Sequence, residues 1–197
     1  RYPHLDPEGA LRQLKQAPEG AAMLATDGVF SMDGDEAPLP ALMALAEQYD
    51  AWLVVDDAHG LGVLGPKGRG SIADAGLPAH PNLVMIGTLG KAAGVSGAFV
   101  AGQRNVIEWL IQRARSYIYT TGPSPMIAGA LLASIDRIIE GDDLRQRAQR
   151  RLPATQVAFQ AGLELETQHG LLGVGPLAFV QRRHPHHGGA GPAQLAQ

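Results

Sequence analysis

WLVVDDAHG, residues 52–60, and LVMIGTLGKAAGVSG, residues 83–97, bracket the stretch whose reading decides the fold. Each opens on a short apolar run, 52–55 and 83–87, and each run stops at a polar cluster. The first stops at Asp56, Asp57 and His59, the second at Thr88 and Lys91. Bulky, largely β-branched runs without polar alternation fit strands buried on both faces of a parallel sheet. Ligands of open α/β sheets sit beyond the carboxyl ends of the strands. Asp56, His59, Thr88 and Lys91 are therefore expected to face one site from neighbouring strand ends.

Outward from that centre, strands alternate with helices, which makes the chain α/β. Residues 6–16 predict a helix, with Asp6 as its N-cap and Pro7 at its first position. A buried strand over 21–26 ends in a Gly- and Asp-rich loop. A helix follows over 38–49 with Leu39, Leu42, Leu45, Ala46 and Tyr49 on one face. A last strand is expected over 98–101. Residues 105–118 read as one helix striped by Val106, Ile107, Leu110, Ile111, Ala114 and Tyr117. Residues 124–140 read as another, ending at Gly141. Asp142 or Asp143 can cap a third, which Pro153 should kink or end. Trp52 and Trp109 read as core aromatics. The expected division is 1–141 as part of a cofactor-binding domain, 142–181 as a helical and irregular continuation, and 182–197 as a disordered tail.

Composition narrows the functional classes. The 197 residues are 45% hydrophobic and 18% charged, ordinary for a globular protein with a real core. A formal net charge of −3 gives no reason to expect nucleic acid or an anionic membrane as partner. The absence of cysteine excludes disulfides and thiolate metal sites, in keeping with a cytoplasmic setting. No apolar run approaches membrane-spanning length. The first residue is Arg1, in mid-pattern, so a fragment is expected.

Several residues can carry chemistry. Lys91, between Gly90 and Gly94, reads either as a solvated loop lysine or as a desolvated nucleophilic amine fit for Schiff-base chemistry. Asp56 and His59 read either as a hydrogen-bonded loop cap or as a pair that could hold a pyridinium nitrogen and a ring oxygen. Residues 60–65, GLGVLG, match GxGxxG, but Pro66, Gly68 and Gly70 oppose the helix a dinucleotide fingerprint must open. A P-loop fails because residue 85 is Met85 and residue 92 is Ala92. Ser31, Thr88, Thr120 and Thr121 are turn or cap residues, or phosphate contacts. His184, His186 and His187 lack an ordered framework, so no metal site is expected.

Taken together, DGVFSMDGDEAPL (27–39), WLVVDDAHGLGVLGPKGRGS (52–71), GTLGKAAGVSGAFVAG (87–102) and, less closely, SYIYTTGPSP (116–125) resemble the α-oxoamine synthases. These are pyridoxal 5'-phosphate enzymes of fold type I, whose large domain is a mostly parallel sheet flanked by helices. The resemblance covers about 1–150 and is nearest to the biotin-pathway members.

The resemblance implies that Lys91 binds the cofactor as a Schiff base, Asp56 pairs with the pyridine nitrogen and His59 hydrogen-bonds the ring hydroxyl oxygen. It implies cofactor contacts from Ser31 and Thr88. Thr120 or Thr121 would reach the phosphate across a homodimer interface with a shared active site. The implied reaction is a decarboxylative condensation of L-alanine with a pimeloyl thioester, carried on ACP or CoA. The alternatives are a glycine C-acetyltransferase or aminolevulinate synthase type, or an inactive remnant. The family's glycine-containing phosphate loop, ring-stacking histidine and substrate-carboxylate arginine have no counterpart here. GPSP (122–125) stands where paired prolines are usual.

Overall fold

The computed structural model describes residues 1–17 and 20–148. Four strands, β1 (Met23–Asp27), β2 (Trp52–Asp56), β3 (Leu83–Thr88) and β4 (Ala98–Ala101), form one sheet in the order β1-β2-β3-β4. The first three run parallel, with Leu24 beside Leu53 and Leu53 beside Leu83. β4 returns antiparallel to β3, setting Thr88 against Ala98. The mostly parallel α/β architecture agrees with the sequence reading.

Helix α1 (Pro7–Lys15) starts where its signals lie: the Asp6 carboxylate accepts the Gly9 N–H at 2.9 Å, and Pro7 occupies the first turn. Helix α2 (Leu39–Gln48) buries Leu39, Leu42, Met43 and Ala46. With Ala10 and Leu14 of α1 they pack into one core with Leu24, Leu53 and Val55 of the sheet. Each fully buried leucine contributes about 1.5–3 kcal/mol of transfer free energy.

Burial on the strands departs from expectation. Leu53 and Val55 are completely buried, while Trp52, Val54 and Asp56 between them are half-buried. β1 alternates in the same way. One face is sealed by α1 and α2; the other is only partly covered among the described residues. A run such as WLVVD has no polar residue until its last position, so composition could not reveal the alternation.

The single helix expected over 105–118 is two: α4 (Arg104–Arg113) and α5 (Arg115–Ile118). Ala114 separates them with φ −73° and ψ 104°. Its N–H still closes on Leu110, while its carbonyl accepts from Tyr117 and Ile118, so one residue ends one helix and starts the next. Trp109 is 48% exposed rather than a core aromatic. Helix α6 (Pro125–Glu140) begins at Ser124, whose hydroxyl accepts the Met126 N–H, and ends at Gly141.

Residues 142–148 are helical, as expected, but the turn starts from Gly141, whose carbonyl accepts from Leu144 and Arg145, so Asp142 and Asp143 lie inside the first turn rather than at the cap. Pro153, the remainder of 142–181, the 182–197 tail and its histidines lie outside the described residues. No helix among the described residues is long and apolar enough to cross a membrane.

Candidate active site

The parallel register brings strand-end acids together. Asp27 closes β1, Asp56 closes β2, and the two are register partners. Neighbours in register on parallel strands project to the same face, here the half-covered one. One Asp56 oxygen accepts the Ala58 N–H at 3.0 Å, turning the chain out of the sheet.

Asp57 points the other way and is fully buried. Its carboxylate accepts the Ser71 backbone N–H at 2.9 Å and the Ser71 hydroxyl at 2.7 Å. This contact pins the loop after β2 to the start of the short helix α3 (Ser71–Asp74). Glycines make room for it: a Cβ at Gly70, whose φ is +90°, would lie 1.9 Å from one carboxylate oxygen, and a Cβ at Gly60 2.1 Å from the other. GLGVLG thus shapes a turn, with an isolated bridge between Leu61 and Arg69, and leads only into the single 3-10 turn Pro66–Gly68, not into an α-helix.

The loop between β3 and β4 presents Lys91. The Thr88 hydroxyl accepts the Gly90 N–H at 3.3 Å and donates to the Gly97 carbonyl at 3.4 Å. Leu89 donates to Gly97, and Val95 to Leu89, closing the loop base. From α6, the Ser134 hydroxyl donates to the Ala93 carbonyl at 2.6 Å. Thus held, Lys91 extends its Nζ to within 2.6 Å of His59 Nε2.

Electrostatics follow from these contacts. Burial and then the Lys91 charge push the His59 imidazole below its ordinary value, with Asp56 opposing. His59 is therefore neutral at neutral pH and accepts from the Lys91 ammonium. Asp27 is pushed up by burial and by Asp56, while Lys91 and His4 pull it down. Asp57 is pushed up chiefly by burial, against the two hydrogen bonds from Ser71.

The fold therefore joins Lys91 and His59 directly and sets Asp56 within electrostatic reach of His59. Lys91 is exposed, with its Nζ against His59. Thr88 shapes the lysine loop. Ser31 is half-buried in the loop after β1, and Thr120 and Thr121 are exposed beyond α5. Among the described residues, no side-chain hydrogen bond joins these three to the cluster. No group of metal-ligating side chains assembles among the described residues. Sequence reasoning missed Asp27, although LATD (24–27) ends in an aspartate just as LVVD (53–56) does. It also missed the Asp57–Ser71 clamp, whose partners lie 14 positions apart.

Known proteins resemble this chain in sequence and in fold. The profile of the aminotransferase class I and II family matches residues 1–170. The 8-amino-7-oxononanoate synthase of Herminiimonas arsenicoxydans is 57% identical over 154 residues, which are 77% of this chain and 40% of that protein. The 8-amino-7-oxononanoate synthase of Azoarcus sp. (strain BH72) is 59% identical over 145 residues, 74% of this chain and 37% of that protein. A serine palmitoyltransferase from S. paucimobilis, with bound pyridoxal phosphate and myriocin, aligns with a TM-score of 0.71 at 31% identity. That alignment covers 77% of this chain and 38% of the other. The 8-amino-7-oxononanoate synthase from Francisella tularensis aligns with a TM-score of 0.63 at 38% identity, over 77% of this chain and 43% of that one. The chain spans about two fifths of the length of the curated relatives it matches. With most of its length matched by that profile, the chain belongs to the aminotransferase class I and II family.

Proposed function

We propose that this chain carries the cofactor lysine of a pyridoxal-phosphate-dependent acyltransferase that condenses L-alanine with a pimeloyl thioester, giving 8-amino-7-oxononanoate, carbon dioxide and the free thiol. The observation that carries the reading is the 2.6 Å approach of Lys91 Nζ to His59 Nε2 at the carboxyl end of the sheet, three residues past Asp56. The identity to 8-amino-7-oxononanoate synthases supports that choice of reaction over other acyl transfers of the family.

The donor set fits the cofactor. An exposed amine, a strand-end carboxylate with one oxygen committed to Ala58, and a neutral imidazole suit an aldehyde, a ring nitrogen and a ring hydroxyl respectively. When bound, pyridoxal 5'-phosphate supplies an electron sink for the electron pair left at the amino acid's α carbon. Asp56 holds the proton on the ring nitrogen, because its negative charge favours the charged form of a base beside it. His59 orients the ring through its hydroxyl oxygen. Lys91 anchors the cofactor and, once released, moves the proton at the α carbon of alanine.

The assignment extends to Ser31 and Thr88 as further cofactor contacts, and to Thr120 and Thr121 as phosphate contacts offered to a second copy in a cytoplasmic homodimer. The exposure of both threonines supports that role. Residues 1–141 are the cofactor-binding portion. The test is to add pyridoxal phosphate, record the visible spectrum, reduce with borohydride and map the adduct. A phosphopyridoxyl group on Lys91 is expected; its absence, or its appearance on Lys15 or Lys67, overturns the reading.

A further inference from the structure

One stripe of helix α6 is half-buried: Ile127, Leu131, Ser134 and Ile138. Their spacing puts them on one face of the helix. Three are apolar, and Ser134 is the exception. A serine in mid-helix ordinarily turns its hydroxyl to water or back to the carbonyl one turn earlier. Here the hydroxyl leaves the helix and donates at 2.6 Å to the Ala93 carbonyl, 41 positions away in the chain. Ala93 is 5% exposed, so that carbonyl has little water to turn to. Buried carbonyls are nearly always hydrogen-bonded, and this one takes its donor from α6.

A second contact comes from the glycine-rich turn after β2. Ala92 and Ala93 are the central residues of a turn that Lys91 opens and Gly94 closes, the Gly94 N–H donating to the Lys91 carbonyl at 2.9 Å. The Ala92 methyl is seated on Gly62, whose φ is +80°: a Cβ at Gly62 would stand 2.6 Å from the Ala92 Cβ. One helical turn past Ser134, Ile138 rests on the same glycines. A Cβ would come within 3.5 Å of its side chain at Gly62 and within 2.8 Å at Gly68.

We propose that Ser134 is a positioning residue. Its hydroxyl holds one central residue of the Lys91–Gly94 turn while Gly62 seats the other, and together they fix where Lys91 meets His59. This deepens the function proposed above and rests on its assignment of Lys91. The lysine side chain is exposed, so the backbone of its turn, rather than packing around the side chain, sets the reach of Nζ. A misplacement of about 1 Å at a reacting atom can cost up to a hundredfold in rate.

Two measurements test this. Amide hydrogen exchange of the cofactor-free chain reads the tether. Time-resolved borohydride trapping of pyridoxal phosphate on Lys91 reads its consequence, with Lys15 and Lys67 as internal controls. Alanine favours helix, so Ser134→Ala keeps α6 and removes only the donor. Exchange over 89–97 should then speed up about three- to tenfold, the size set by one net hydrogen bond. Exchange in β1, β2 and β3 should stay at the parent's rate. Capture at Lys91 should slow by a similar factor, with labelling at Lys15 and Lys67 unchanged. Ser134→Thr, which keeps the hydroxyl, should return both rates to near the parent's. Ser71→Ala, which loses a hydrogen bond elsewhere, should leave the loop's exchange unchanged. Exchange over 89–97 equal to the parent's in Ser134→Ala overturns the tether. Faster exchange with capture at the parent's rate, or a Thr variant that behaves as the Ala variant does, overturns the positioning role. If the parent itself takes no cofactor on Lys91, the function proposed above fails and the positioning role goes with it, while the exchange rates still decide the tether.

Discussion

Ser71 makes both hydrogen bonds that the buried carboxylate of Asp57 receives, one from its backbone N–H at 2.9 Å and one from its hydroxyl at 2.7 Å. Only proline at residue 71 would remove the first, whereas Ser71→Ala removes the second and keeps the backbone donor. A hydrogen bond to a charged group contributes about 1.5–3 kcal/mol. Ser71→Ala should lower the unfolding free energy by that amount in urea titrations, with little change in amide exchange over 89–97. An unfolding midpoint equal to the parent's would show that the hydroxyl is dispensable.

Lys91→Ala separates chemistry from folding. The side chain is exposed and belongs to no core, so stability should change by no more than about 0.5 kcal/mol. The borohydride-trapped phosphopyridoxyl group should vanish. If a trapped adduct persists at full yield in this variant, another amine is the anchor.

Asp56→Asn keeps an oxygen for the Ala58 N–H, so the turn out of β2 survives while the charge is lost. Turnover measured with alanine and a pimeloyl thioester should fall by at least about a hundredfold, some 2.7 kcal/mol of barrier or more. Urea midpoints should stay close to the parent. Near-normal turnover at saturating cofactor would remove Asp56 from its assigned role.

His59 gives a pH signature with a definite sign. Its imidazole is held below the ordinary 6.5 by burial and then by Lys91. The folded state therefore binds that proton less readily than the unfolded chain. The associated stability is fully present above the ordinary value and is lost as pH falls through it toward the lowered one. Between pH 8 and pH 5 the parent should lose more stability than His59→Gln. Equal losses in the two proteins would mean that His59 titrates as it does when unfolded.

Much of this fold is legible in the sequence because local signals agree with tertiary packing. Asp6 and Pro7 start α1, Ser124 starts α6, and the three parallel strands end at polar residues near the expected positions. Lys91, Asp56 and His59 were legible as a set because each follows an apolar run. The break at Ala114 was not, because the apolar spacing continues unchanged from Leu110 to Tyr117 and alanine favours helix. Tertiary context turns the chain there. The Asp27–Asp56 adjacency depends on which strands pair and in what register, and nothing local to either segment specifies that. Asp57 and Ser71 meet only after the glycine-rich turn has folded back on itself.

The strict alternation along β2 has an outcome for insertions and deletions rather than for substitutions. Leu53 and Val55 face the core, and Asp56 stands on the opposite side. Deleting one residue between Trp52 and Val55 would exchange the two sides of everything after it. A carboxylate would be driven against α2 and a leucine or valine offered to the open face. In this strand a single-codon deletion is therefore a double lesion, costing both the interior and the chemistry. Pairwise exchanges at 52 and 54 leave the parity intact and touch neither the sealed side nor Asp56. Genetic drift along β2 is accordingly expected to proceed by replacement at alternate positions, with length held fixed.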